Sequence, residues 1–256
     1  MILDKFALTG KVAVVTGAGR SIGRGIALGF AEAGADIVCA ARTTSEIESV
    51  ASEVRNLGRR AIAVPCDVRE AEEVDNLVTK AIEEFGCIDI LVNNAGAGYL
   101  KPAIETSERA WEVQLKLNLT SAFLCSKAVA KIMLEQESGS ILNISSRAGV
   151  QPAVGMIAYG VSKAGMDHLT RTLAFELAPH IRVNCISPGA IWTETSAETL
   201  GPAKDKIVRG TPLNRMGTPE DIALAAIYLC SPASSWVTGK VFDVDGGIYG
   251  QIFKPG

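Results

Sequence analysis

Residues 11–41, KVAVVTGAGRSIGRGIALGFAEAGADIVCAA, decide the fold. The run 11–16 is short and β-branched, which is typical of a fully buried strand. A glycine-rich turn at 17–25 leads into an apolar helical pattern, and 35–41 reads as a second strand. This layout brings backbone N–H groups and a helix N-terminus against a phosphate. The stretch therefore predicts a βαβ unit that binds a nucleotide.

The rest of the chain repeats this alternation of strands and helices. Further strands are predicted at 61–66, 88–92, 140–144, 181–186 and 240–244. Helices are predicted at about 44–57, 71–85, 108–135, from Tyr159 onward, and 220–230. This order implies an α/β fold with a Rossmann-type, doubly wound parallel sheet that carries helices on both faces.

Domain organisation follows from what interrupts the pattern. No linker or composition change divides the 256 residues, so we predict a single domain, 1–256. The only long irregular stretch, about 188–219, is rich in Gly, Pro and Thr. A loop of that length predicts a lid over the substrate.

Composition excludes several classes of function. Apolar residues make up 48% of the chain, charged residues 21%, and the net charge is −3 without a block of like charges. This balance disfavours nucleic acid and an anionic membrane surface as partners. The longest apolar run, 222–230, is shorter than the ~20 residues of a membrane span. Asp4 and Lys5 interrupt the first apolar residues, so no signal peptide is predicted and a cytoplasmic location is expected.

The metal and thiol chemistry of the chain is predicted to be minor. Six scattered cysteines form no C-x-x-C pair, and there are two histidines. We therefore expect no disulfide framework, no metal site and no histidine-based triad.

Residues 145–163, SSRAGVQPAVGMIAYGVSK, carry a second signal. On a helix, Tyr159 and Lys163 lie one turn apart on the same face. An ammonium beside a phenol lowers the phenol pKa from about 10, and such a tyrosine can exchange a proton with an alcohol oxygen. Ser145 and Ser146 offer hydroxyls to the same oxygen. The pattern predicts an oxidoreductase centre that needs a hydride carrier.

The motifs together resemble the short-chain dehydrogenases/reductases, over nearly the whole chain. The family's T-G-x-x-x-G-x-G motif corresponds to residues 16–23, with Ser21 in place of the middle glycine. The other matching positions are Asp67-Val68, Asn93-Asn94-Ala95-Gly96, Asn118, Ser146, Tyr159, Lys163, Pro188-Gly189, Thr193 and Asp245-Gly246-Gly247.

The resemblance implies four catalytic residues. Tyr159 would be the general acid/base and Ser146 would hydrogen-bond the substrate oxygen. Lys163 would lower the tyrosine pKa and bind the nicotinamide ribose, and Asn118 would hold a water that links Lys163 to solvent. The gap of thirteen residues to the tyrosine selects Ser146, whereas Ser145 is expected to shape the strand end.

The resemblance also implies the cofactor contacts. Asp67 would bind the adenine amino group, and Thr193 with the backbone near Ile191 would orient the carboxamide. Ser21 adds a Cβ, but its hydroxyl can cap the helix and bind a phosphate oxygen, so binding should persist. The expected contacts are Gly17, Gly19, Arg20, Ser21, Ile22, Arg42, Thr43, Asp67, Val68, Asn94, Ala95, Gly96, Tyr159, Lys163, Pro188, Gly189, Ile191 and Thr193.

The end of the second strand predicts the choice of cofactor. NAD-specific relatives carry an acidic residue there that binds the ribose hydroxyls. Here Ala41 is followed by Arg42, which is placed to meet a 2′-phosphate, and Arg20 supplies a second cation. The sequence therefore favours NADP(H) over NAD(H), against the alternative that both arginines are solvated surface residues.

The expected function is NADP(H)-dependent hydride transfer between nicotinamide and a ketone or secondary alcohol. Residues 188–193 and 211–239 look like those of bacterial 7α-hydroxysteroid dehydrogenases, and similar blocks occur in 3-oxoacyl-acyl-carrier-protein reductases and sugar dehydrogenases. Two further alternatives stay open. One is a dinucleotide-binding regulator without catalysis, and the other is epimerisation or dehydration on the same fold.

The expected partners are a small-molecule substrate and further copies of the chain. An acyl carrier protein would need a basic patch, which Lys204, Lys206 and Arg209 could supply, although neighbouring acidic residues offset it. Family members usually form tetramers through the helices that carry Asn118 and Tyr159. A homotetramer is therefore expected, with a dimer as the alternative.

Overall fold

The structure is a computed structural model that describes residues 1–248, so the end of the predicted domain 1–256 lies outside the described residues. At its centre is a parallel sheet of seven strands in the order β3-β2-β1-β4-β5-β6-β7. This confirms the doubly wound fold, and each predicted strand is present to within two residues at each end. The strands are β1 Val12–Thr16, β2 Asp36–Ala41, β3 Ala61–Pro65, β4 Ile90–Asn93, β5 Gly139–Ile144, β6 Ile181–Pro188 and β7 Val241–Val244.

The α-helices connect these strands. They are α1 Ser21–Glu32, α2 Thr44–Asn56, α3 Ala71–Phe85, α4 Glu108–Leu115, α5 Ser121–Glu135, α6 Arg147–Val150, α7 Ile157–Glu176, α8 Glu194–Leu200, α9 Lys204–Gly210 and α10 Pro219–Cys230.

The predicted helical stretch 108–135 is confirmed, and it contains a π-helical turn, Lys116–Thr120, which apolar periodicity does not reveal. One prediction of irregular structure is wrong. The stretch 188–219 is not irregular, because it contains α8 and α9. The Thr193 side chain accepts a hydrogen bond from Ser196 N and Ser196 caps in return, so a capping box starts α8.

Alternating side chains on the strands divide the core into two layers. In β1, Ala13 and Val15 belong to the layer that contains α1, α2 and α10. Val12 and Val14 point to the opposite face of the sheet and belong to the layer that contains α3 and α5. Burying one such valine is worth roughly 1.5–3 kcal/mol. The unbroken apolar run of β1 is explained because both faces of the strand are covered.

The strand order places the functional loops together. The chain runs outward from β1 to β3 and then restarts at β4 on the other side of β1. The carboxyl ends of β1 and β4 therefore flank the point at which the winding direction reverses. In open α/β sheets, ligands bind in the crevice at this point.

One described stretch, Glu108–Glu135, is long and apolar enough to cross a membrane by length and composition alone. In this fold α5 packs on β4 and β5, and α4 packs on α7. Core helices of globular proteins pass the same test, so the stretch is weak evidence for a span.

Candidate active site

Lys163 and Tyr159 lie in the first turns of α7, as the four-residue spacing predicts. Lys163 is buried, and its Nζ donates to the carbonyl oxygen of Ile144 at 2.8 Å. The same Nζ lies 5.6 Å from the centroid of the Tyr159 ring. The last carbonyl of β5 therefore fixes the ammonium beside the tyrosine, and two of its N–H donors are left for other acceptors.

Ser146 lies directly after β5 and faces the same tyrosine. Its hydroxyl accepts a hydrogen bond from Ala148 N at 3.2 Å, so it caps the short helix α6. A side-chain hydrogen bond also joins Ser146 to Tyr159. The structure thus brings Ser146, Tyr159 and Lys163 together at the carboxyl end of the sheet.

Burial controls the protonation of this cluster. It lowers the pKa of Lys163 to about 8, and it raises the pKa of Tyr159 above its ordinary value, against the opposing effect of the Ser146 hydrogen bond. The net shift of the Tyr159 pKa in this structure is therefore upward, because removing the phenol from water disfavours its charged form. The lowering of this pKa by the Lys163 ammonium, whose Nζ is held by the Ile144 carbonyl oxygen, stays a prediction.

Asn118 is positioned by the π-helical turn and is fully buried. Its Nδ2 donates to Ala97 O at 2.9 Å and Gln114 O at 3.0 Å, and its Oδ1 accepts from Ala97 N at 3.0 Å. Asn118 therefore holds the loop after β4 against the site. A Cβ at Gly96 would lie 2.6 Å from Asn118 Oδ1 and 3.4 Å from Lys163 Nζ, so glycine keeps this space open.

The glycine loop after β1 is tied to the loop after β4. Asn94 Nδ2 donates to Thr16 O at 2.9 Å and to Gly17 O at 3.2 Å. A Cβ on Gly23 would lie 2.1 Å from Gly17 O, which leaves no room for any side chain. Backbone N–H groups of a loop and of the helix N-terminus that follows it are the donors that bind phosphates in nucleotide sites.

Ser21, which replaces the middle glycine, has a left-handed backbone with φ +53°. Glycine adopts this conformation without the steric cost that a Cβ brings. The expected capping bond to α1 is not formed, because the hydroxyl lies 2.6 Å from Thr195 Oγ1 in α8. Ser21 therefore connects the glycine loop to the lid.

Charged side chains in the glycine loop and beyond β3 are paired, whereas the side chains directly after β2 are exposed. Arg69 Nε donates to Asp67 Oδ1 at 2.9 Å, and these hydrogen bonds hold the pKa of Asp67 at about 2. Arg20 Nη1 lies 3.7 Å from Glu46 Oε1. Arg42 is exposed, as is its neighbour Thr43.

The sequence reasoning missed Glu46 as a site residue. It lies in the first turn of α2, and a Cβ on Gly19 would lie only 2.8 Å from the Glu46 Cβ. A carboxylate is common in the first helical turn because it complements the positive end of the helix. That rule was the available signal, but it does not show that the side chain covers the glycine loop.

The lid begins where β6 ends. Pro188 is the last residue of β6, and Gly189 faces Asp245, whose Cα would lie 2.7 Å from an added Cβ. Ile191 pairs with Gly217, and Thr193 caps α8. Val68, another predicted contact, is buried in the core layer that contains residues of α3 and α5, and the partly buried Ala95 packs against that layer. Ile22 is also partly buried and packs against the other layer.

The chain matches a family model and several known proteins. A family model described as enoyl-(acyl carrier protein) reductase matches residues 17–249. The 7α-hydroxysteroid dehydrogenase of Escherichia coli is 42% identical over 249 residues, which cover 95% of this chain and 96% of that protein. The 3-oxoacyl-[acyl-carrier-protein] reductase of Synechocystis is 41% identical over 245 residues, covering 94% of this chain and 98% of that protein.

The chain belongs to the short-chain dehydrogenase/reductase family. A solved 7α-hydroxysteroid dehydrogenase, in complex with NADH and 7-oxo glycochenodeoxycholic acid, superposes with a TM-score of 0.94 at 40% identity. It covers 98% of this chain, and the alignment covers 99% of that structure. This short-chain dehydrogenase/reductase is therefore an oxidoreductase of a family that acts on alcohol and carbonyl groups and binds a nicotinamide dinucleotide.

Proposed function

We propose that the protein is an NADP(H)-dependent oxidoreductase that interconverts a ketone and a secondary alcohol. The observation that carries this proposal is the convergence of Ser146, Tyr159 and Lys163 at the end of β5, beside the loop after β4. A bound nicotinamide would supply or accept the hydride. The residues of the chain supply position and proton transfer.

The proposed roles follow from burial and hydrogen bonding. Tyr159 is the general acid/base, and Ser146 binds the substrate oxygen next to the phenol. Lys163 is held by Ile144 O and has N–H groups left to bind a ribose hydroxyl. Asn118 keeps the loop at Gly96 in place, so that the ribose can approach the ammonium.

The preference for NADP(H) rests on the charges beyond β2. Arg42 is exposed, follows the uncharged Ala41, and is available to bind a 2′-phosphate through charge-assisted hydrogen bonds. Arg20 can contribute only by competing with its contact to Glu46. Arg42 is therefore the stronger of the two proposed phosphate ligands.

The substrate class stays open between the chemistries of the relatives. Tyr159 lines a small cavity together with the side chains and backbone of Tyr99, Lys101, Gln114 and Ile157. A keto-steroid is wider than a 3-oxoacyl chain, so the two substrate classes require cavities of different width. The non-catalytic regulator and the epimerase alternatives predict no net change in cofactor oxidation state.

The test is a substrate panel with NADPH and NADH, using a 3-oxoacyl thioester, a keto-steroid, sugars and small diketones.

The variant Tyr159→Phe should abolish turnover, while Tyr99→Phe is a matched control because it removes a phenol from the same cavity. Full activity of Tyr159→Phe would refute the acid/base role. A clear preference for NADH would refute the role of Arg42.

The proposal includes a cytoplasmic homotetramer. Apolar side chains on α5 and α7 are exposed in the single chain, namely Phe123, Leu134, Val161 and Phe175. Contact between copies would remove these surfaces from water, and burial of apolar area favours association. Light scattering coupled to size exclusion would distinguish a tetramer from a dimer or a monomer.

A further inference from the structure

Arg147 is a buried cation that the proposed mechanism does not use. It is the first residue of α6, directly after Ser146, and it is only 4% exposed. Its guanidinium forms ion pairs with two carboxylates at the end of β7: Nη1 contacts Asp243, and Nε lies 3.0 Å from Asp245 Oδ2. Arginine is almost never fully buried unless it is paired, so the two carboxylates explain how this cation tolerates burial.

Helix α6 is too short to hold Ser146 in place by itself. It consists of four residues, Arg147–Val150, with Ser146 as its N-cap. Isolated helices of this length are unstable, so the position of α6 depends on what packs against it. Because Ser146 and Arg147 are joined by one planar peptide bond, fixing the arginine also restricts the serine.

On one side, α6 packs against the backbone of α7. A Cβ on Gly149 would lie 2.8 Å from Ala164 N, and a Cβ on Gly160 would lie 2.9 Å from Ala148 O. Glycine at both positions therefore lets the two backbones approach closely. Helix α6 rests in this way directly on the helix that carries Tyr159.

On the other side, Arg147 ties α6 to the end of β7. The strand order β5-β6-β7 means that the arginine, which follows β5, spans the end of β6 to reach its two partners. Asp245 is itself held, because its Oδ1 accepts a hydrogen bond from Gly247 N at 2.8 Å and its backbone packs on Gly189. The ion pairs therefore connect α6 to a second fixed point in the fold.

We propose that Arg147 is a positioning residue that holds the Ser146 hydroxyl in place beside Tyr159 by anchoring α6 to β7. The proposal rests on the proposed function, because it assumes that Ser146 binds the substrate oxygen next to the phenol. A guanidinium suits this task because it is planar and presents its donors in fixed directions, so two carboxylates restrict its orientation.

The first test is Arg147→Met, which keeps an unbranched side chain and removes the charge. With the best substrate of the panel, kcat should fall by about tenfold to a hundredfold, while the Kd of the dinucleotide stays within about twofold. Arg147→Lys, which keeps a positive charge, should recover part of the loss. A fall in dinucleotide affinity equal to the fall in kcat would show a general loss of structure and overturn the proposal.

A kinetic cycle with Ser146→Ala tests whether Arg147 acts through the serine. In the Ser146→Ala background the hydroxyl is absent, so adding Arg147→Met should change the residual kcat by less than about twofold. Effects that multiply would mean that Arg147 acts on something other than the serine, and the proposal would be overturned. Asp243→Asn removes one carboxylate at a half-exposed position and should lower kcat by less, and it serves if Arg147→Met does not fold.

The matched control is Arg59→Met. Arg59 is also largely buried and pairs with Asp36 at 2.7 Å, but this ion pair lies at the amino end of β2, at the opposite edge of the sheet from the site. Arg59→Met should lower stability and leave kcat unchanged. An equal loss of kcat in Arg59→Met and Arg147→Met would mean that any broken ion pair slows the enzyme, and it would overturn the proposal.

A measurement without substrate separates this proposal from the proposed function. Ala148 N donates to Ser146 Oγ at 3.2 Å, and Gly149 N donates to Ser146 O at 2.8 Å. Hydrogen exchange of these two amides, followed by NMR, reports how firmly Ser146 and α6 are held. Arg147→Met should speed both exchanges by about tenfold, whereas Arg59→Met should leave them unchanged.

Unchanged exchange in Arg147→Met overturns the proposal, whether or not any substrate of the panel turns over. Faster exchange in a protein that turns over no substrate would refute the proposed function and leave the anchoring of Ser146 standing.

Discussion

The two sides of the crevice hold their polar side chains in opposite ways. On the β5 and α7 side, Lys163 and Asn118 are buried, and each is hydrogen-bonded to backbone groups. On the β1 and β2 side, Arg42 is exposed and Arg20 faces another surface side chain, Glu46. A buried polar group left without its partner costs about 1–3 kcal/mol, whereas an exposed ion pair is worth about 0–1 kcal/mol.

In the proposed function, this difference separates proton transfer from cofactor selectivity. The fold fixes the side proposed for proton transfer, because replacing Lys163 or Asn118 leaves buried hydrogen-bonding groups unpaired. The side proposed to select the nucleotide can change its charges at little cost in stability. Substitutions on the β5 and α7 side should therefore change turnover, whereas substitutions of charges on the β1 and β2 side should change cofactor binding at little cost in stability.

The largest effect is expected for Lys163→Met. Turnover should fall by about 10³-fold, because the tyrosine loses the neighbouring charge and the ribose loses a ligand. Because Ile144 O would lose its donor, the free energy of unfolding should also fall, by about 1–3 kcal/mol. Steady-state kinetics and calorimetry check both statements. Lys127→Met, at an exposed position of α5, is the control, and a Lys163→Met enzyme within tenfold of the parent would contradict the comparison.

The next effect is expected for Gly23→Ala. The added Cβ would meet Gly17 O at 2.1 Å, so the glycine loop must move, although alanine favours a helix. Dinucleotide affinity should fall by about a hundredfold, which corresponds to about 2.7 kcal/mol. Isothermal titration measures it. Gly201→Ala, where an added Cβ meets nothing within 4 Å, should bind as the parent does.

Arg42→Ala should act on selectivity alone. The loss of charge-assisted hydrogen bonds to a 2′-phosphate should raise the KM for NADPH by about tenfold to a hundredfold. The KM for NADH and the unfolding midpoint should stay the same, because Arg42 is exposed. A parallel rise for both cofactors would show that Arg42 supports the loop and does not read the phosphate.

The smallest effect is expected for Glu46→Gln. It releases Arg20 from a contact of 3.7 Å, so the KM for NADPH should fall by about threefold, the scale of a surface ion pair. The gain should shrink as salt rises, because exposed charges are screened. If the gain persists at 1 M salt, the effect comes from the close packing of Glu46 on Gly19 and not from its charge.

The sequence predicted the sheet, and it predicted that Tyr159 lies near both Ser146 and Lys163. Both predictions rest on local patterns: apolar runs give strands, and a four-residue spacing gives one helix face. The π-helical turn was missed because it changes the helical register without changing the apolar pattern. Catalytic and cofactor roles for the individual residues stay predictions until the variants are measured.

The missed features depend on contacts between distant segments. The pairing of Ser21 with Thr195, and the raised pKa of Tyr159, arise from burial and from residues far apart in the chain. Position 21 shows what a sequence motif alone does not predict. A motif shows that serine replaces glycine, but only the backbone shows that the residue adopts φ +53° and reaches the lid.

The π-helical turn Lys116–Thr120 has a consequence for how the protein can diverge. It separates the registers of α4 and α5, so that α4 packs on α7 while α5 packs on β4 and β5. Deletion of a single residue within the turn would close it to a regular α-helical turn, and Asn118, which holds the loop after β4, would move. Length changes in this segment should accordingly be far rarer than substitutions.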